Sequence, residues 1–174
     1  DNVDGRGGDD IVSGGEGFDF INGGEGIDTL KEIADVDFTL TDANLSGLGF
    51  DFIFNIEAAM LTGGPSDNRI DASGFTLGSV TLSGLGGNDT LIGGTQGDVL
   101  NGGSGNDQLE GRNGDDTLTG ETGDDILDGG NGTDTVIESA DVNFVLSNTQ
   151  LTGLGTDTLN SVEQAILTGG NSDN

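Results

Sequence analysis

The chain has 174 residues with 35 glycines, one proline and no cysteine, histidine, tryptophan or tyrosine, and its 32 acidic residues outnumber four basic ones. A formal net charge of −28 excludes nucleic acid and anionic lipid as natural partners and favours cations. Zinc, copper and iron lack their preferred side-chain ligands here, and no recognisable nucleophile or acid–base pair is present, so we expect no enzymatic activity. No apolar run is long enough for membrane insertion.

Two blocks, residues 1–31 and 84–137, contain aspartates that recur every nine residues, each lying two residues before an aliphatic side chain. The unit reads G-G-x-G-x-D-x-U-x, where U is aliphatic, and the second block holds six units. Fixed glycines predict a tight turn, and the last three residues predict a short strand with U facing inward. The aspartates are Asp1, Asp10, Asp19, Asp28, Asp89, Asp98, Asp107, Asp116, Asp125 and Asp134.

Between the blocks, residues 32–83 form a spacer without the nine-residue phase. Val36–Leu40 and Ser79–Ser83 alternate like half-buried strands, while Ile56–Leu61 is compatible with a strand or a single helical turn. We expect wider coils that continue the same solenoid without a full complement of metal.

Two details of the spacer stand out. Phe50, Phe52 and Phe54 occupy every second position, but the corresponding positions 106 residues later are polar. This stripe of phenylalanines is therefore either a local contact surface or a sign of better packing in one coil. Residues 63–71 look like a decayed nonapeptide with Asn68 in the aspartate place.

A longer period overlies the short one. Residues 1–68 align with residues 107–174 at a constant offset of 106 residues, and half of these 68 positions are identical. Residues 138–174 are therefore a second, incomplete spacer. We expect the chain to be a window from a longer array of superrepeats.

Stacked coils of two nonapeptides would place aspartates eighteen residues apart at about 4.8 Å, where their charges repel unless a cation lies between them. Carboxylates together with carbonyls exposed at irregular turns suit calcium better than magnesium, which demands strict octahedral geometry. A metal bound only in the folded state would also add to the free energy of folding.

These blocks resemble the RTX repeat domains of bacterial secreted proteins. The resemblance implies an all-β, right-handed parallel β-roll or β-helix solenoid with calcium between turns one coil apart and about six or more ions in all. It implies the bridged pairs Asp1–Asp19, Asp10–Asp28, Asp89–Asp107, Asp98–Asp116, Asp107–Asp125 and Asp116–Asp134. Turn carbonyls should complete each shell, and the candidates are Gly8, Gly17, Gly26, Gly87, Gly105, Gly114, Gly123 and Gly132.

Two departures from the pattern carry further expectations. Gln96 replaces a glycine and should alter the turn before Asp98. Four residues follow directly after the two blocks, and they either close the last calcium site or form a solvated cap: Asp35, Asp37, Asp141 and Asn143.

Two functions fit this sequence. The first is a calcium-binding structural module of a large secreted or cell-surface protein of the adhesin, S-layer or filament type, because a 106-residue period sets length. The alternative is a C-terminal secretion and folding domain of a type I-secreted enzyme or toxin whose catalytic domain lies outside this chain. In both cases the expected partners are calcium ions and neighbouring repeats, with association into a fibre or surface layer as a further option.

Overall fold

The computed structural model describes residues 1–172, which form twenty β-strands and no helix. In chain order the strands are β1 (Asn2–Asp4), β2 (Ile11–Val12), β3 (Phe20–Asn22), β4 (Thr29–Ile33), β5 (Phe38–Thr41), β6 (Asn44–Ser46), β7 (Phe50–Phe54), β8 (Ala58–Thr62), β9 (Arg69–Gly74), β10 (Val80–Gly86), β11 (Thr90–Ile92), β12 (Val99–Ser104), β13 (Gln108–Asn113), β14 (Thr117–Thr122), β15 (Ile126–Asn131), β16 (Thr135–Ala140), β17 (Val145–Leu146), β18 (Gln150–Thr152), β19 (Thr156–Asn160) and β20 (Gln164–Gly169).

The strands form two sheets. Sheet A has twelve strands in the order β1-β3-β7-β6-β5-β9-β11-β13-β15-β19-β18-β17. Sheet B has eight, in the order β2-β4-β8-β10-β12-β14-β16-β20. Successive nonapeptides alternate between the sheets, so two units make one coil, and the all-β parallel solenoid expected from the sequence is confirmed.

Within the nonapeptide blocks, strands pair in parallel at a spacing of one coil. Leu100 pairs with Leu118 in sheet B, and Leu109 pairs with Leu127 in sheet A. All four side chains are fully buried, as the aliphatic position predicts. Each coil therefore contributes one large apolar side chain from each sheet to a narrow core that runs along the stack.

Several position-four glycines are required by this stacking. Gly105 has a φ of 126°, and a methyl group there would collide with the carbonyl oxygen of Gly87 in the preceding coil. The same collision would occur between Gly123 and Gly105. Any side chain at these corners would push neighbouring coils apart.

The spacer widens the coil through an antiparallel meander that the sequence did not predict. Strands β5, β6 and β7 pair antiparallel to one another, and the meander is inserted into sheet A between β3 and β9. On the other face β8 alone spans the spacer, so residues 56–61 contain a strand and no helical turn. The second spacer repeats this arrangement with β17, β18 and β19.

The phenylalanine stripe of β7 lies on the outer face of sheet A. Phe50 and Phe54 are each about half exposed, at 47% and 49%, while Asp51 and Ile53 between them face inward and are buried. Phe52 stacks on Phe20 of the neighbouring strand with ring centroids 5.5 Å apart. The stripe is therefore a surface cluster and is no part of the core.

Candidate metal centre

Carboxylates stack at the corners where each turn enters a strand. In each of five predicted pairs, the backbone amide of the first aspartate donates to Oδ1 of the aspartate one coil later, at 2.7 to 2.8 Å. In the sixth, the terminal ammonium group of Asp1 contacts Asp19 Oδ1. We call each such pair a rung. The rungs are Asp1–Asp19, Asp10–Asp28, Asp89–Asp107, Asp98–Asp116, Asp107–Asp125 and Asp116–Asp134.

The second carboxylate oxygen of most of these aspartates is buried and has no hydrogen-bond partner. An ionised oxygen in this state is costly, because burial removes its hydration and no donor replaces the water. A bound cation would supply the missing partner. The aspartates with such an Oδ2 atom are Asp10, Asp19, Asp28, Asp89, Asp107, Asp116, Asp125 and Asp134.

Backbone carbonyls converge on the same corners. A methyl group on Gly84 would meet both Asp89 Oδ2 and the carbonyl oxygen of Gly102, so these two oxygens lie close to one point. Asp116 Oδ2 and the Gly129 carbonyl converge beside Gly111 in the same way. The position-one carbonyls are thus ligand candidates that side-chain patterns could not identify, because they depend on the path of the backbone.

The position-four glycines proposed as carbonyl donors all have positive φ angles. The carbonyl oxygens of six of them point along the stack toward a glycine of the following coil: Gly8, Gly17, Gly87, Gly105, Gly114 and Gly123. Their ligation of metal, and that of Gly26 and Gly132, stays a prediction.

Burial raises the pKa of the stacked carboxyl groups. The pKa of Asp116 rises to about 7, first because of burial and then because of the charges of Asp98 and Asp134 beside it. Burial likewise raises the pKa of Asp89 and Asp107 to about 6. Without a cation the stack therefore resists full ionisation at neutral pH.

Asp98 differs from the other repeat aspartates. Its Oδ1 accepts the amide of Val80 at 2.8 Å, and its Oδ2 accepts the amide of Gly94 at 2.6 Å. Gln96 lies in this turn and lacks the positive φ of the usual glycine, as the departure from the repeat indicated. Both carboxylate oxygens of Asp98 therefore already accept a backbone amide.

The turn at residues 63–71 shares this geometry. Gly64 donates its amide to Asn68 Oδ1 at 2.7 Å, and the amide of Asn68 donates to Asp89 Oδ1 at 2.7 Å. Asn68 therefore stands in the aspartate place, and it begins the ladder of sheet A that continues through the second block.

Asp35 and Asp37 contact the turn at residues 66–69, in the coil that follows them. Asp35 accepts hydrogen bonds from the amide and hydroxyl of Ser66, and Asp37 Oδ1 accepts the amide of Arg69 at 2.7 Å. Both thus bind the turn that begins the second stack of coils. Asp141 contacts Ser172 in the equivalent way, while Asn143 is exposed. Whether these four residues close a calcium site or form a solvated cap stays a prediction.

Other acidic residues follow the last rungs. Asp51 Oδ1 accepts the amide of Asp19 at 3.0 Å, and Glu57 Oε2 accepts the amide of Asp28 at 3.0 Å. Asp157 and Glu163 do the same in the second spacer. These four acids lie outside the nine-residue phase. Each nevertheless lies two residues before an apolar side chain, as the repeat aspartates do, and this spacing was the sequence signal that could have identified them.

Two buried glutamates close the turns of sheet B. Glu32 Oε1 accepts the hydroxyl of Ser13 and the amide of Gly14, and Glu138 Oε1 accepts the amides of Gly120 and Glu121. Burial raises the pKa of Glu138 to about 7, and its Oε2 has no partner. Both residues are glutamates at equivalent places of the superrepeat, and this repetition in the sequence points to them.

Within residues 1–172, no group of three or more acidic side chains could hold a metal by itself, and no helix is long and apolar enough to cross a membrane. A cation at a rung would therefore have one or two carboxylates and several carbonyls around it. This all-oxygen, irregular donor set fits calcium.

The fold and the corners define a parallel β-solenoid with stacked carboxylate and carbonyl oxygens suited to a hard divalent cation. Residues 1–30, 78–109 and 101–136 match the model of the RTX calcium-binding nonapeptide repeat, and together these ranges span just over half of the chain. The chain belongs to the RTX calcium-binding nonapeptide repeat family, and it is a calcium-binding repeat module.

Among solved structures, the extracellular lipase LipA from Serratia marcescens is similar, with 22% sequence identity and a TM-score of 0.42. The match covers 92% of this chain and 36% of the lipase chain, so this chain spans about a third of that protein's length. No curated protein matches the sequence.

Proposed function

We propose that this chain is a structural module of a large secreted or cell-surface protein, of the adhesin, S-layer or filament type, that folds and stiffens when it binds extracellular calcium. The observation that carries the proposal is the ladder of buried, unpartnered aspartate oxygens. A fold that buries so many acidic groups is unfavourable without cations and stable with them.

Folding that requires calcium would leave the chain in different states inside and outside the cell. Extracellular calcium modules bind with dissociation constants of about 0.1 to 1 mM, whereas cytosolic calcium is far lower. The chain would therefore remain unfolded inside a bacterium, in a state compatible with type I secretion, and would fold outside. The 106-residue superrepeat supports a role in setting length, because it repeats the spacers together with the calcium-binding blocks. Catalysis is no part of this role.

Far-UV circular dichroism tests the coupling. At pH 7.5 we expect a disordered spectrum in EGTA and a β spectrum after addition of about 5 to 10 mM calcium, on the scale of extracellular sites. Equal β signals in EGTA and in calcium would overturn the proposal. Small-angle X-ray scattering then tests stiffness. Twelve strands at about 4.8 Å predict a calcium-loaded particle about 50 to 60 Å along the stack.

A further inference from the structure

The nonapeptide ladders do not end at the last nonapeptide. Asp51 and Asp157 occupy the next place along the ladder in sheet A, and Glu57 and Glu163 occupy it in sheet B. Asp51 is 2% exposed and Asp157 is 2% exposed, so both spacer aspartates are as buried as the repeat aspartates.

These acids reproduce the hydrogen bond of a rung. Asp28 donates its amide to Glu57 at 3.0 Å, and Asp134 donates its amide to Glu163 at 2.9 Å. The corresponding distances in the nonapeptide rungs are 2.7 to 2.8 Å. The chain travels 29 residues between Asp28 and Glu57, against 18 in a regular coil. The same contact is thus made over a longer path.

Each repeat aspartate that donates its amide to one of these acids also has a buried carboxylate oxygen without a partner. Asp28 and Asp134 are both 0% exposed, and their Oδ2 atoms have no hydrogen-bond partner. In sheet A the same holds for the Oδ2 atoms of Asp19 and Asp125, both of which are 1% exposed. A carboxylate that only capped a turn would not require a second buried oxygen without a partner beside it.

Spacer carbonyls also take the places of repeat carbonyls. A methyl group on Gly23 would meet Asp28 Oδ2 and the carbonyl oxygen of Asn55, and one on Gly129 would meet Asp134 Oδ2 and the carbonyl oxygen of Ser161. In the regular coils this second oxygen belongs to a position-one glycine. The spacers therefore supply both a carboxylate and a carbonyl at the corner.

We propose that Asp51, Glu57, Asp157 and Glu163 are calcium ligands, and that each ladder extends by one metal site into the spacer that follows it. The chain would then hold four more ions than the six that its nonapeptide rungs predict. Each added site pairs one spacer acid with one repeat aspartate: Asp51 with Asp19, Glu57 with Asp28, Asp157 with Asp125, and Glu163 with Asp134. This inference rests on the proposed calcium-dependent folding.

Internal comparison of the two superrepeats supports the assignment. The four acids occupy equivalent places, and they are retained although the outward-facing neighbours Phe52 and Phe54 are replaced by Thr158 and Asn160. The outer face of the spacer has changed, while the four carboxylates that accept repeat amides have not.

Calcium stoichiometry tests the proposal. The chain is dialysed to equilibrium in 0.15 M KCl with saturating calcium, and bound calcium is counted by atomic emission. The fourfold variant D51N/E57Q/D157N/E163Q should bind four fewer ions than the wild-type chain. The matched control, which removes the same charge from the surface, should bind as many ions as wild type: E16Q/E25Q/E110Q/D128N. Wild-type stoichiometry in the fourfold variant would overturn the proposal.

Two further measurements distinguish a lost calcium site from a variant that does not fold. If the fourfold variant does not reach the wild-type β signal in calcium, the single variants E57Q and E163Q are counted instead, and each should lose one ion. Six or fewer ions on the wild-type chain would also refute the added sites. Failure of the proposed function looks different, because the wild-type chain would then fold without calcium or bind none.

Discussion

Protonation should substitute in part for calcium. Asp116 has a pKa of about 7 and Asp89, Asp107 and Asp125 have pKa values of about 6 in the folded chain, against an ordinary value of 3.8. Because these folded-state pKa values are raised, the folded chain holds its protons to higher pH than the unfolded chain does. Stability of the metal-free fold is therefore greatest below about pH 4 and is lost as the pH rises through about 7.

The size of the effect follows from the pKa shifts. Between pH 8 and pH 5, each of the three aspartates with a pKa of about 6 contributes between about 1 and 2 kcal/mol, and Asp116 contributes about 3 kcal/mol. Because neighbouring carboxylates in one ladder influence one another, the total of roughly 7 kcal/mol is an upper bound. It is nevertheless comparable with the whole free energy of unfolding of a small domain.

The assay is far-UV circular dichroism on exhaustively dialysed protein whose residual calcium has been measured. Acidification from pH 8 to pH 5 should restore β signal, and pH 5 is still above the isoelectric point of about 4.1, so the chain remains negatively charged. The variant D116N should weaken this pH dependence near pH 7 because it removes the most shifted group. A metal-free signal that is unchanged or weaker at pH 5 would refute the reasoning.

Three further outcomes are expected. D107N removes the carboxylate shared by two consecutive rungs, so calcium titration should show a higher midpoint and two fewer bound ions. G105A should lower the free energy of unfolding in calcium by at least about 2 kcal/mol more than G8A in urea denaturation, because Gly8 has a positive φ but open space around it. L109A should cost about 2 to 5 kcal/mol, whereas V99A at a half-exposed position should stay within about 0.5 kcal/mol.

The regular coils could be predicted because their sequence determines them locally. A glycine is needed wherever the carbonyl of one coil touches the next, as at Gly105, and an aliphatic side chain is needed wherever the core must be filled, as at Leu109. Both requirements recur at nearly every unit, with Gln96 as the exception, so the period of the sequence is also the period of the structure.

The spacer could be predicted only in part. Alternation identified strands near Phe38 and Val80, but alternation does not state whether neighbouring strands run parallel or antiparallel. The meander of β5, β6 and β7 depends on turns and on a partner strand, β9, that lies far along the chain. The acids Asp51 and Glu57 were missed for a related reason, because the meander shifts them out of the nine-residue phase.

The meander also determines what a spacer does to the stack. In sheet A the path from β3 to β9 crosses four strand spacings, while in sheet B the path from β4 to β10 crosses only two. At about 4.8 Å per spacing, the two faces differ in length by about 10 Å across one spacer. Hydrogen bonding is continuous along both faces, so the blocks on either side of the first spacer are separated by different distances in sheet A and in sheet B.

Calcium-binding blocks and spacers therefore differ in strand spacing. In the blocks, strands pair at equal spacings on both faces, and the stacked aspartates carry buried carboxylate oxygens without a hydrogen-bond partner. In the first spacer the spacings are unequal, and the buried Asp51 and the partly buried Glu57 accept amides of the block before it. The second spacer repeats the antiparallel meander, and Asp157 and Glu163 accept amides of the block before it.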